Sequence, residues 1–179
     1  MSDLSDGSDS SDGSGGWCRS QKILLGAFGG EWHNEGVSVK IDLQLFVYGS
    51  LVPGGEYWGR FCEGKVVARR KARVWGRLFR SREGYLALAL AEERSALSFE
   101  RLPVWIPGWV LTLRDGAALR AIDGLEGYAE GRAEEKNDYQ RVRVACYAPG
   151  GEAEPEALGE AWCYVMTAGQ LTRAGAATI

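Results

Sequence analysis

Apolar and polar positions alternate regularly from residue 43 onward. Leu43 to Val47 is an apolar run that ends in Tyr48-Gly49-Ser50, the pattern of a buried strand entering a tight loop. Pro53-Gly54-Gly55 ends any regular element there. Residues 56–63 read as a short helix packing Tyr57, Trp58 and Phe61. Residues 66–80 read as a long strand, with Ala72, Val74 and Leu78 on one face. Arg73, Trp75, Arg77 and Phe79 take the other. Leu86, Leu88 and Leu90 alternate in a further strand. Val104 to Leu113 is another, expected to be interrupted by a turn or bulge at Pro107-Gly108. Tyr139 to Tyr147 alternates again, and Ala161 to Met166 is a last strand.

Residues 115–125 have helical periodicity, with Asp115 as N-cap and Gly127 as the stop. The stretch 167–179 is small and polar and is expected to fray. About six strands and one or two short peripheral helices make an α+β domain over 42–168 whose sheet curls into a small mixed β-barrel. Residues 169–179 would be a C-terminal tail. The first 16 residues are Ser, Asp and Gly in low-complexity order. They hold too little apolar surface to offset the entropy of ordering and read as a disordered acidic tail. Residues 17–41 have no clear pattern and read either as an N-terminal extension or as translated sequence upstream of the natural start.

Composition narrows the function classes. The chain has 179 residues and a net charge of −3. Setting aside the four aspartates of residues 1–16 leaves +1 for the rest, so no global charge points to nucleic acid or a membrane. No apolar run is long enough for a transmembrane helix, and the acidic N-terminus is unlike a signal peptide. A cytoplasmic location is expected. Cys18, Cys62, Cys146 and Cys163 form no C-x-x-C pair and read as reduced, buried thiols. The single histidine, His33, lies outside the patterned region. Ser-His-Asp, Cys-His and His-rich metal chemistry are therefore disfavoured, and no metal or cofactor is implied. Acid–base work would fall to a carboxylate, Lys, Tyr or Cys.

One carboxylate stands out. At about 100° per residue, Glu126 lies about 20° from Leu119, inside the arc that holds Ala118, Ile122 and Leu125. Asp123 sits on its border. A carboxylate facing the core has its pKa raised by desolvation, as a general base near neutral pH requires. The alternatives are a structural ion pair, for which Arg141 is the candidate partner, or a frayed helix end that frees Glu126 to solvent. The Tyr48-Gly49-Ser50-Leu51 loop has a second logic. Backbone N–H groups that turn together after a strand form an anion-binding nest, although Gly-Ser after a strand is most often an ordinary turn.

The two segments belong to a longer series. It runs through Phe46-Val47-Tyr48-Gly49-Ser50-Leu51-Val52-Pro53-Gly54 and then Leu119 with Ile122-Asp123-Gly124-Leu125-Glu126-Gly127-Tyr128. Asn137-Asp138-Tyr139-Gln140-Arg141-Val142-Arg143-Val144 and Ala161-Trp162-Cys163-Tyr164-Val165 follow. In order and approximate spacing, residues 43–166 resemble the γ-glutamylcyclotransferase-like (AIG2-like) family. The resemblance implies a small mixed β-barrel with the Tyr48-to-Leu51 loop and Glu126 on opposite sides of a cavity. It implies a small γ-glutamyl-containing substrate, whose α-amine attacks its own γ-carbonyl to give 5-oxoproline and an amine or amino acid. Glu126 would be the general base and acid, with Tyr48, Gly49, Ser50, Leu51 and Tyr139 binding substrate. For the two tyrosines, plain packing is an equal alternative. The charged stretch Ala129 to Lys136 departs from the family pattern, as either a flexible flap or a long loop.

Two other classes fit the same residues: a binding or interaction module that keeps the cavity without turnover, and a tailoring enzyme that removes a γ-glutamyl protecting group. The basic run of Arg69, Arg70, Lys71, Arg73, Arg77, Arg80 and Arg82 reads as the solvated face of a strand rather than a nucleic-acid site. The seven tryptophans read as core.

Overall fold

Seven strands and three short helices form the fold in a computed structural model, which describes residues 43–91, 102–150 and 155–179. The expectations for residues 1–16 and 17–41, with His33 and Cys18, lie outside the described residues. The strands are β1 (Gln44–Val47), β2 (Val66–Arg80), β3 (Leu86–Leu90), β4 (Val104–Leu113), β5 (Gln140–Tyr147), β6 (Ala157–Val165) and β7 (Ala177–Thr178). The helices are α1 (Trp58–Phe61), α2 (Gly116–Leu125) and α3 (Ala168–Arg173), with one turn of 3-10 helix at Glu134–Lys136.

The sheet closes on itself. β2 pairs with β4, β4 with β1, β1 with β6, β6 with β5, and β5 returns to β2 through Arg73 and Tyr147. This is a closed five-stranded barrel, which leaves few backbone groups on a free edge. Only β1 and β6 run parallel, meeting at Leu45 and Trp162. β2 is long enough to serve twice. Its first part, Val66 to Gly76, lies along β4, and its last, Gly76 to Arg80, pairs with β3. β7 joins β2 beside Phe79 and Arg80.

The barrel interior is filled by Phe46, Ala72, Val74, Leu88, Ile106, Val110 and Val144, with Cys146 and Cys163. A second core packs α1 and α2 against the outside of β1 and β4, through Leu45, Val47, Leu111, Leu113, Leu119 and Ile122. β1 is therefore buried on both faces, which is why its sequence is a continuous apolar run rather than an alternation.

Four expectations need correction. β4 is not interrupted: pairing with β2 passes through Pro107 and Gly108 without a register shift. Pairing with β1 ends at Trp109, so Pro107 has a neighbour on one side only and its missing N–H breaks no ladder. Gly108 is needed because a Cβ there would strike the Val47 carbonyl and the Phe46 ring. Residues 167–179 do not fray as a tail. Thr167 and Gln170 form a reciprocal capping box that starts α3, and β7 then pairs with β2.

β6 also begins earlier than expected, at Ala157. Within the basic strand, Phe79 is buried in a third small core with Ala87, Ala89, Met166 and Leu171. Arg73 is buried too, 4.3 Å from the Trp105 ring centre, and donates to the Gly150 carbonyl at 2.7 Å. Arg69, Arg70 and Lys71 are exposed, as a solvated strand face should be.

Candidate active site

α2 begins and ends as its sequence dictates. The Asp115 side chain accepts from the Ala118 N–H at 2.9 Å. At the other end Glu126 is the C-cap, its N–H bonded to the Ile122 carbonyl. Gly127 follows with φ +61°, and the Tyr128 N–H reaches back to the Asp123 carbonyl at 2.9 Å. This is the Schellman closure that a left-handed glycine permits. A Cβ on Gly127 would also collide with the Asp138 side chain. The helix end is therefore fixed rather than frayed, and the direction of the Glu126 side chain with it.

Glu126 opens onto a cavity of about 800 Å³. Tyr48, Gly49, Ser50, Leu51 and Tyr139 line the same cavity. The structure thus gathers these six candidate site residues around one space, from the loop after β1, the end of α2 and the approach to β5.

The Glu126 carboxylate makes no hydrogen bond or salt bridge with any of the described residues. Arg141, the partner considered from sequence, is engaged elsewhere: its Nη1 lies 2.7 and 2.9 Å from the two Asp123 oxygens. Desolvation raises the Glu126 pKa from 4.5 to about 7. The loop is complementary. The Gly49 carbonyl accepts from Val52 N–H at 3.2 Å, and the Ser50 carbonyl from Tyr57 N–H at 3.0 Å. The N–H groups of Gly49, Ser50 and Leu51 donate to no backbone acceptor among the described residues.

The family model for gamma-glutamyl cyclotransferase, AIG2-like proteins matches residues 45–177. The chain belongs to this family. The family is in general one of cyclotransferases acting on small γ-glutamyl substrates. No curated protein sequence matches the chain. Among solved structures, YkqA from Bacillus subtilis matches with a TM-score of 0.42 and 19% identity, over 69% of this chain and 35% of that one. The chain spans about a third of the length of YkqA.

In this cyclotransferase-family cavity the two tyrosine hydroxyls are taken by backbone. Tyr48 Oη donates to the Tyr164 carbonyl at 2.9 Å and accepts from the Leu88 N–H at 3.0 Å. Tyr139 Oη donates to the Leu86 carbonyl at 3.0 Å. Both rings brace the cavity wall, tying β1, β3, β5 and β6 together around it. Burial pushes both phenols above their ordinary pKa, and the Glu126 charge adds to this. They are neutral across the working pH range.

Sequence reading missed Asn137 and Gln170, both buried and both on the cavity wall. Asn137 Oδ1 accepts from the Ala129 N–H, and the Asn137 carbonyl accepts from Gln170 Nε2 at 2.9 Å. Gln170 Nε2 also reaches the Glu134 carbonyl. The charged stretch from Ala129 to Lys136 is thereby pinned to α3, and it includes a 3-10 turn. The signal for this lay in Thr167-x-x-Gln170, a capping-box spelling.

Among the described residues, no cluster of His, Cys, Asp and Glu could hold a metal ion. No helix there is long and apolar enough to cross a membrane. Cys62, Cys146 and Cys163 are buried free thiols, and burial raises the first two to about 11.

Proposed function

We propose that the chain is a γ-glutamyl cyclotransferase that converts a γ-glutamyl compound into 5-oxoproline and a free amine or amino acid. The observation that carries this reading is the unpaired Glu126 carboxylate, desolvated to a pKa of about 7 and opening on the cavity walled by Gly49, Ser50 and Leu51.

The reaction asks little else of the protein. Nucleophile and electrophile are already tethered in the substrate, so proximity is built in. Glu126 takes one proton from the substrate α-ammonium. The freed amine attacks the γ-carbonyl carbon, and the carbonyl oxygen becomes an oxyanion. The amides of Gly49 to Leu51 are suited to hold negative charge on the substrate or on this oxyanion. As the C–N bond to the leaving group breaks, Glu126 returns its proton to the departing nitrogen, and the second ammonium proton passes from the ring nitrogen to the freed amine, giving a neutral lactam and an ammonium ion. The ring closes, the carboxylate is regenerated, and no redox step or external nucleophile is needed. Tyr48 and Tyr139 act as wall and brace in this scheme rather than as proton donors.

The test is release of 5-oxoproline from a panel of γ-glutamyl amino acids, γ-glutamylamines and carrier-linked γ-glutamyl amides. Glu126→Gln is expected to lower kcat by about 10²- to 10⁴-fold, the usual worth of a positioned acid–base group. Full turnover by that variant would overturn the mechanism. A thermal shift with γ-glutamyl ligands but no product from any of them would favour a binding module. Turnover confined to carrier-linked amides would identify a tailoring enzyme that removes a γ-glutamyl protecting group.

A further inference from the structure

Asp123 and Glu126 stand three residues apart on α2, the spacing that makes side chains neighbours on a helix. A cation that reaches one lies near the other. Arg141, on β5, is that cation. It is mostly buried, its guanidinium 5.0 Å from the ring centres of both Tyr128 and Trp162. A buried guanidinium needs a counter-charge, and two carboxylates are on offer.

The structure shows which one takes it. Arg141 Nη1 bridges both Asp123 oxygens, and Tyr164 Oη donates to Asp123 Oδ1 at 2.7 Å. The exposed Glu130 adds a longer contact at 3.8 Å. Asp123 is therefore held from two strands, by Arg141 of β5 and Tyr164 of β6.

We propose that Asp123 is a positioning residue for the acid–base step: by binding Arg141 it keeps that cation from pairing with Glu126, so the Glu126 carboxylate stays free and turned to the cavity. Asp123 touches no reacting atom in this scheme and acts only through its neighbours. The proposal rests on the reading of Glu126 as the base.

Charges near Glu126 support the assignment. The groups that feel it most are Tyr48 beyond β1, Tyr139 before β5, and Cys163 and Tyr164 on β6. Burial raises all four above their ordinary values, so they are neutral near pH 7. On the segment before β5, Glu135, Lys136 and Asp138 share the cavity wall but are exposed, where water screens them. Glu56, beyond the β1 loop, and Arg82 and Glu83, between β2 and β3, also line the cavity and are exposed. Arg173 of α3 is likewise an exposed wall residue. Arg141 is the buried cation close to α2, and with its charge matched by Asp123 the Glu126 carboxyl is shifted by burial alone.

The experiment is a carbon-13 NMR titration of the Glu126 side-chain carboxyl in the full chain. Wild type, Asp123→Asn, Arg141→Gln and the double variant are compared. It needs no turnover, so it separates this proposal from the assignment of the reaction. In Asp123→Asn the unsatisfied Arg141 favours ionised Glu126, and the midpoint should fall by about one pH unit, a tenfold change in the ionisation constant. In Arg141→Gln the bare Asp123 charge should move it upward. The double variant should return it close to wild type. If Asp123→Asn does not fold, the Arg141→Gln and double-variant titrations still decide. Midpoints that coincide with wild type in the variants that fold would make the Asp123–Arg141 pair purely structural and overturn the proposal. If the titration behaves as expected but no γ-glutamyl compound is cyclised, the electrostatic arrangement stands and the proposed reaction falls.

Discussion

Replacing Glu126 by Gln should make the protein more stable above neutral pH, and the size of the gain follows from its ionisation. The carboxyl titrates at 4.5 in an unfolded chain and at about 7 in the fold. Between these values the unfolded state has lost its proton and the folded state keeps it. Stability must therefore fall as pH rises through this interval. At about 1.4 kcal/mol per pH unit, the interval amounts to about 3 kcal/mol, an upper figure because part of the side chain meets water. Glutamine has nearly the same shape and no charge to desolvate.

The two proteins should thus unfold alike near pH 4 and diverge progressively up to about pH 8, where the variant leads by up to about 3 kcal/mol. In melting temperature this is about 10 °C for a domain of this size. Urea unfolding at a series of pH values, read by tryptophan fluorescence, measures both curves. A constant offset at all pH values, or a wild-type protein more stable at pH 8, would show that Glu126 is paired or solvated and would remove the basis for its role as a base. Stability gained with turnover lost in one substitution is the signature of a group strained for function.

Gly127→Ala places a Cβ in a left-handed position against Asp138. It should cost at least about 1 kcal/mol and lower kcat through displacement of the helix end; a melting curve and a rate measurement check both. Tyr48→Phe removes a hydroxyl that serves two backbone groups, the Tyr164 carbonyl and the Leu88 N–H. The expected loss is about 1–3 kcal/mol of stability with KM nearly unchanged, whereas a raised KM at unchanged stability would mean the hydroxyl binds substrate. Gln170→Ala cuts the ties from α3 to the Asn137 and Glu134 carbonyls, and hydrogen exchange should quicken over residues 129–137 relative to β1 and β6.

Elements whose side chains repeat with one clear period were readable from the sequence. α2 is the best case: its N-cap, its apolar arc and its glycine stop all agree, and they place Glu126 without reference to any partner. The long strand β2 was readable for Ala72 and Val74, which face the barrel interior throughout. It misled at Phe79, because the end of β2 leaves the barrel to pair with β3 and its outer face acquires a cover. Pro107-Gly108 misled in the opposite direction. Two breaker residues sit in an unbroken strand because β1 ends beside them and its carbonyl presses on Gly108. The partner of Arg141 could not be chosen from spacing, since Asp123 and Glu126 share a helix face. Only the Tyr164 hydroxyl, brought in from a strand 41 residues away from Asp123, breaks that tie. The free amides of the Gly49 loop are likewise a matter of which carbonyls the chain happens to meet.

The parallel seam between Leu45 and Trp162 bears on how the chain folds. β1 is among the first elements of the described chain, yet one of its two flanking strands is the last long strand in sequence. Until residues near 162 have left the ribosome, β1 has a bare backbone edge and both of its faces are apolar. Closing a loop this long is entropically slow, and non-local pairings are the usual bottleneck in β-rich domains. A chain truncated before β6 would carry that edge permanently, an invitation to pair with other chains. Folding of this protein is thus set to depend on β6, while Glu126 and the Gly49 loop are made before it.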